Sequence, residues 1–456
     1  MIIMKFGGTS VKNAAGIRRV TGIIKNNLPK NPIIVVSALA GITNLLEESV
    51  QIAINQQSVL VAELIRQIRE RHFTVIQELL DGNESYHALQ TALTLEIKKL
   101  ESLLTATTTI RVESNDLNHA VLSIGEILSS LILNAAMQKA GIDAIYVDAR
   151  DIMITTNKNN LIIPVPDLIR KEARSRLLPL IRENKTIVSQ GFIAATSDGV
   201  PTTLGRNGSD FSASLLGAAL DVEEIQIWTD VDGILTADPT IIPTAKHLDV
   251  MTFDEASELA YFGARVLYPA AIQPAVEKGI PVRVLNSNHP ELPGTLILKN
   301  FDRTQRKIVK SIAYKENITL LTIKSSQLLI STKILGELFQ HLAEHNMRVY
   351  AFSKSAIKLS LTLEHTIQLD HILKQFRQIG KVKVERHKAI VSIVGEKMKR
   401  NPEITAQILA LLRQAHIRTD LISQFASQLS FMFIINQADI EKTIKLLHSK
   451  YVEDED

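Results

Sequence analysis

At 456 residues the chain is too long for one ordinary core and predicts several domains at ~100–200 residues each. Lys and Arg number 51 against 48 Asp and Glu, a net charge of +3, and the basic residues are scattered, which argues against a nucleic-acid partner. No cysteine is present, which excludes disulfides and thiolate metal sites, and without a basic leader or a charge-free apolar run near ~20 residues the expectation is a cytoplasmic protein with no membrane partner.

The chain opens on Ile2-Ile3 and Met4-Lys5-Phe6-Gly7-Gly8-Thr9-Ser10-Val11, a buried strand running into glycines and hydroxyls at a helix start. Glycine lets backbone approach an anion, N–H groups supply partial positive charge, and Lys5 adds a full one, so the stretch suits phosphate; an ordinary strand-to-helix turn has the same look. A helix over Ala14 to Asn27 and a strand over Pro32 to Val36 follow, the start of a parallel sheet. That strand feeds Ser37-Ala38-Leu39-Ala40-Gly41-Ile42-Thr43-Asn44, a loop at a strand's carboxyl end, where ligands bind in open α/β sheets. Ser37 and Thr43 also suit a plain turn and helix cap.

Leu45 to Leu80 and Ser85 to Ile110 read as long helices of an insertion or cap whose role is mostly packing. Asn118 to Lys139 reads as a helix with Glu126 set in apolar sequence, a site candidate or a carboxylate with a structural partner. Strands are predicted at Ala144 to Val147 and Thr186 to Val188, the latter leading to Gln190-Gly191-Phe192. In Thr203-Leu204-Gly205-Arg206-Asn207-Gly208-Ser209-Asp210, hydroxyls, glycines and an arginine converge on the start of a helix over Phe211 to Leu220, a setting suited to a carboxylate. A strand over Glu224 to Trp228 ends in Thr229-Asp230-Val231-Asp232-Gly233, which suits a ribose, Mg²⁺ through water, or a bare acidic turn. Helices over Phe253 to Tyr261 and Ala270 to Glu277 and a strand over Val282 to Leu285 complete this part.

From Lys307 the pattern becomes a repeat of βαββα units. Strands are predicted at Ile308–Ala313 and Ile318–Ile323 about a turn at Lys315-Glu316-Asn317, and at Val382–Glu385 and Ala389–Val394. The second unit lacks a closing strand, which Ile308–Ala313 can supply, and the exposed edges of small sheets invite pairing between chains.

Together these segments, with Phe262-Gly263-Ala264-Arg265-Val266-Leu267, resemble the aspartate kinases over nearly the whole chain. The resemblance implies an α/β fold: a three-layer αβα amino-acid-kinase domain with a mainly parallel sheet over 1–300, then α+β ferredoxin-like ACT domains over 301–386 and 387–456. It implies transfer of the γ-phosphoryl of ATP, with Mg²⁺ carried on the nucleotide, to the side-chain carboxylate of L-aspartate, the first step towards lysine, threonine, methionine and diaminopimelate. Ser37, Thr43, Glu126, Arg206 and Ser209 would hold aspartate. Lys5 and Gly7, Gly8, Thr9 and Ser10 would take the phosphates, Thr229 and Asp230 the nucleoside, Arg265 would add charge at the nucleotide, and Asp210 would order Lys5. The acceptor carboxylate is already ionised, so no general base is required. Self-association through the ACT domains and an amino-acid effector are implied partners. Arg265 stands where relatives have lysine, Leu235 where many have an aromatic, and Thr240 where many have arginine. These changes frame the alternative of a degenerate amino-acid sensor; Lys5, Glu126, Arg206 and Asp210 argue against it. Lys333, Tyr350 and Ala356 replace residues of lysine-sensitive members and predict weak lysine inhibition.

Overall fold

A computed structural model describes residues 1–80, 84–112, 114–158, 161–263, 267–300, 309–325, 332–345, 347–364, 368–395, 402–423 and 429–453. Its contacts divide into two compact units. The first holds Met1–Ile234, His247–Phe253 and the described residues of 268–301; the second holds Leu235–Lys246 and the described residues of 254–267 and 302–456. Two stretches that precede residue 300 thus pack with the repeats.

The first unit is built on strands β1 (Ile2–Phe6), β2 (Pro32–Val36), β3 (Ala144–Tyr146), β6 (Thr186–Gln190), β9 (Glu224–Thr229), β10 (Val250–Thr252), β11 (Val282–Asn286) and β12 (Thr295–Leu298). They form one sheet in the order β10-β12-β11-β9-β1-β2-β6-β3, in which, among the described residues, only the β11–β12 pair is antiparallel. All five residues of both β1 and β2 are buried, as continuous apolar runs require when helices cover both faces. On one face pack α1 (Ala14–Asn27), α2 (Ile42–Ile54), α3 (Ser58–Leu80), α4 (Glu84–Ile110) and α5 (Asn115–Lys139), sharing a core with Met4, Phe6, Ile34 and Val36. The helical run expected from Leu45 to Leu80 is two helices, broken where Gln56 adopts a left-handed φ of 59°. α5 is long and apolar enough in composition to cross a bilayer, but its Val121, Ile124, Leu128, Ile132 and Leu133 are buried in this core.

The opposite layer contains α6 (Pro166–Arg182), α7 (Gly208–Leu220) and α9 (Pro269–Glu277), with Ser214 of α7 accepting the Ala275 N–H of α9. α8 (Phe253–Tyr261) falls almost wholly in the second unit. A small sheet not anticipated from sequence, in the order β5-β4-β7-β8, joins β4 (Ile154–Lys158), β5 (Leu161–Pro164), β7 (Ile193–Thr196) and β8 (Pro201–Thr203).

The second unit has one antiparallel sheet ordered β14-β15-β13-β16-β18-β17. Its strands are β13 (Val309–Lys324), β14 (Val349–Lys354), β15 (Lys358–Glu364), β16 (Lys381–Gly395), β17 (Ile422–Ser423) and β18 (Ser430–Asn436). Helices α10 (Thr332–Glu344) and α11 (Gln368–Ile379) cover one half, and α12 (Pro402–Gln414) and α13 (Ile440–His448) the other, over separate cores. The expected turn at Lys315-Glu316-Asn317 is absent: β13 runs straight through, as does β16 where two strands were read. The ladder gains one residue on β13 between Lys315 and Ile318, then one on β16 between Lys388 and Glu385. Asn317 and His387, both at positive φ, absorb these as compensating bulges, so turn-forming residues bend a long strand without ending it.

Candidate active site

Parallel register sets the site. Phe6 pairs with both Val36 and Trp228, and Val36 pairs with Gln190, so β9, β1, β2 and β6 end level with one another. The residues after these ends keep the ladder one step further: Gly7 donates to Trp228 O, Ser37 to Phe6 O and Gly191 to Val36 O. Four loops far apart in sequence therefore leave one edge of the sheet side by side.

The first loop is locked against the second. Ala40 N–H donates to Gly8 O at 3.1 Å, and a Cβ on Gly8 would lie 2.7 Å from Ala38 O, so only glycine permits this approach. The start of α7 leans on the third loop equally closely, since a Cβ on Gly191 would sit 2.5 Å from Ser209 Cβ. Ser209 is thereby placed against Ser37, whose Oγ donates to Ser209 Oγ at 3.0 Å. One residue on, Asp210 pairs with Lys5 Nζ at 2.6 Å, both side chains 11% exposed. Lys5 projects from β1 towards the opening loop, 3.8 Å from where a Gly7 Cβ would stand. A nearly buried ion pair of this sort holds the ammonium in one place, and the pair is compensated by mutual attraction at low local dielectric.

Glu126 comes in from α5 and is 3% exposed. One carboxylate oxygen accepts Ala38 N–H at 3.2 Å; the other is buried and has no hydrogen-bond partner among the described residues. Burial pushes its pKa up to about 8, against the smaller opposing effect of the backbone N–H. On the other side of β1, Ser10 Oγ donates to Trp228 O and accepts from Ser287 Oγ, which also reaches Thr229 O. Asn286 donates to Asp232 and Asp230 O, and Thr229 Oγ1 donates to Asp230.

A family model for the amino acid kinases matches residues 1–286, and an ACT-domain model matches 391–451. The lysine-sensitive aspartokinase 3 of Escherichia coli is 32% identical over 461 residues, covering 99% of both chains. The chloroplastic aspartokinase 1 of Arabidopsis thaliana is 33% identical over 469 residues, covering 100% of this chain and 80% of that one. The crystal structure of E. coli aspartokinase III with aspartate and ADP superposes with a TM-score of 0.82 at 31% identity, covering 98% of this chain and 99% of that one. For the complex of that enzyme with lysine and aspartate the TM-score is 0.87 at 31% identity and 99% coverage of both.

The chain belongs to the aspartokinases.

Of the residues predicted for an aspartokinase site, Lys5, Ser37, Glu126, Ser209 and Asp210 are drawn together by the contacts above, and Gly7 to Ser10 lie beside Thr229 and Asp230. Thr43 sits in the first turn of α2, and Arg206 is exposed on the loop before α7, between Gly205 and Asn207, both at positive φ. Arg265 lies outside the described residues. Leu235 and Thr240 belong to the second unit, where Thr240 donates to Asp238 through both N–H and Oγ1.

The sequence reading missed a supporting set. Ser129 Oγ donates to Ser37 O at 2.7 Å, Ser130 accepts from Gln190, and Asn286 and Ser287 fasten the Thr229 loop. His119 Nδ1 lies 2.9 Å from Thr203 Oγ1, and burial lowers its pKa while Asp116 opposes the shift. Small hydroxyls at Ser123, Ser129 and Ser130 on the buried face of α5 were the available signal, since a core helix has little other use for them.

Proposed function

We infer that this aspartokinase holds L-aspartate through Glu126, Arg206, Ser37, Thr43 and Ser209 while Lys5 meets the transferring phosphoryl group. The enzyme is an ATP-dependent kinase acting on aspartate, and the observation that carries the residue assignment is Glu126. A buried carboxylate with an unpartnered oxygen needs a cation, and the α-ammonium of the substrate supplies one. Arg206, at the opening of a helix N-terminus, suits the α-carboxylate by bidentate pairing, which leaves the side-chain carboxylate as acceptor. The chemistry is then positioning and charge neutralisation: two anions must meet, and Lys5, held by Asp210, together with the Gly7 to Ser10 backbone offsets their repulsion. Asp230 and Asp232 offer the hard oxygen ligands that Mg²⁺ prefers and would hold it through water, where it would neutralise nucleotide phosphate charge. Arg265 adds positive charge at the nucleotide in this reading.

The repeats carry regulation: β14 and β17 are the outer strands of their sheet and suit pairing with a second copy, and the ACT halves suit an amino-acid effector. The cysteine-free composition suits the cytoplasm. The test of the activity is hydroxylamine trapping of the acyl phosphate with ATP and L-aspartate; aspartyl hydroxamate is expected, and none would overturn the reading. N-acetyl-L-aspartate, whose amine carries no charge for Glu126, should be a poor substrate; equal turnover would remove Glu126 from its role.

A further inference from the structure

The geometry points to Arg71, on the helical insertion, as a positioning residue that holds the substrate loop and the phosphate loop in register. Arg71 Nη2 donates to Ala40 O at 2.7 Å across 31 residues of sequence, from a half-buried side chain on α3. Ala40 is the residue whose N–H donates to Gly8 O, so its two flanking peptides are tied in opposite directions, one to the phosphate loop and one to the insertion. The next residue, Gly41, has φ 80° and caps α2, and a Cβ on it would stand 3.6 Å from Arg71 Nη1.

The consequence lies on both sides of this clamp. Upstream, Ser37 and the Ala38 N–H that meets Glu126 are fixed by the same loop; downstream, Thr43 takes its direction from the first turn of α2. A carbonyl at such a corner can rotate unless a donor holds it, and the planar guanidinium supplies a charged donor on a rigid helix. The insertion, read from sequence as mostly packing, thus sets the distance between the aspartate-binding hydroxyls and the glycine N–H groups. A misplacement of ~1 Å between reacting groups costs about a hundredfold in rate, so the clamp acts on catalysis without touching substrate.

This inference rests on the aspartate-kinase reading for its kinetic arm only. Arg71→Ala and Arg71→Lys are compared with Arg66→Ala, which removes an equal charge from an exposed arginine paired with Glu63 and Glu70 within α3. Arg71→Ala should lower kcat/KM for aspartate by ~10- to 100-fold. Guanidinium chloride at low millimolar concentration should restore most of the loss, Arg71→Lys should fall between, and Arg66→Ala should stay within about twofold of the parent. Independently of turnover, hydrogen exchange at the amide of Ala40 should be faster in Arg71→Ala than in Arg66→Ala. Kinetics matching Arg66→Ala, or a loss that guanidinium leaves unrestored, overturns the clamp, as does unchanged exchange at Ala40. If the parent enzyme forms no aspartyl hydroxamate, the functional reading fails, and the exchange measurement still decides the clamp.

Discussion

Burial brings the pKa of Glu126 close to neutral pH, and that makes its role measurable. In the free protein its pKa is raised to about 8 by burial, so at pH 7 about nine-tenths of the molecules carry it protonated. A substrate ammonium needs the ionised form, and ionising the group at pH 7 costs about 1.4 kcal/mol. Aspartate binding should therefore release close to one proton per site at pH 7. The KM for aspartate should fall about tenfold per pH unit from pH 6 towards 8 and level off above it. Initial rates across that range, with calorimetry in buffers of different ionisation enthalpy, read both quantities. Glu126→Gln keeps an acceptor for Ala38 N–H and should give a high KM without this slope, the lost charge-assisted bond being worth about 1.5–3 kcal/mol. Stability provides a second check. A carboxyl raised from 4.5 to about 8 on folding contributes most below pH 4.5, and that contribution is lost as pH rises through 8, up to about 5 kcal/mol in all. Glu126→Gln should thus be close to neutral at pH 4 and stabilising at pH 8.5 in the ligand-free protein. A flat KM profile in the parent enzyme between pH 6 and 8, or proton release that survives Glu126→Gln, would refute the reasoning.

Other perturbations separate the remaining roles. Lys5→Ala should lower kcat by ~10²–10³ through loss of a charge at the transferring phosphate, whereas Arg206→Ala should chiefly raise the aspartate KM; equal modest effects on both constants would contradict these assignments. Gly191→Ala forces a methyl to 2.5 Å from Ser209 Cβ and should cost about 1–3 kcal/mol in thermal unfolding while separating Ser209 from Ser37, seen as a raised aspartate KM. His72, fully buried with its pKa pushed down to about 4, contributes stability that is complete above its unfolded pKa of 6.5 and lost as pH falls towards 4, about 3 kcal/mol in all. His72→Leu should flatten the acid side of the melting profile, and an unaltered slope would assign it elsewhere. Lysine should inhibit weakly: Tyr350 is buried with Lys315 Nζ 4.9 Å from its ring centre, so an ammonium of the chain already lies there. Strong inhibition in a titration at low lysine concentration would show otherwise.

What the sequence alone determined is local and chemical. The apolar runs at Ile2–Phe6 and Pro32–Val36 read as buried strands opening a parallel sheet, and the ordered segments from Lys5 to Leu267 carry the resemblance to the aspartate kinases. Glu126 stood out because a carboxylate in apolar sequence demands a partner. The bulged strand Val309–Lys324 was misread because Asn317 at positive φ serves a turn and a bulge alike, and only pairing with β16 decides between them. The short sheet around β4 and β8 escaped because Thr155 to Lys158 and Pro201 to Thr203 are polar and carry neither an apolar run nor an alternation to recognise. Tertiary structure alone decided that Glu126 keeps one oxygen without a partner among the described residues, and it put a distance of 2.6 Å on the Lys5–Asp210 pair that the resemblance implied. It alone showed that Arg71 reaches Ala40. Each of these depends on side chains far apart in the chain meeting at distances that the register of four parallel strands sets, and no local pattern encodes that register.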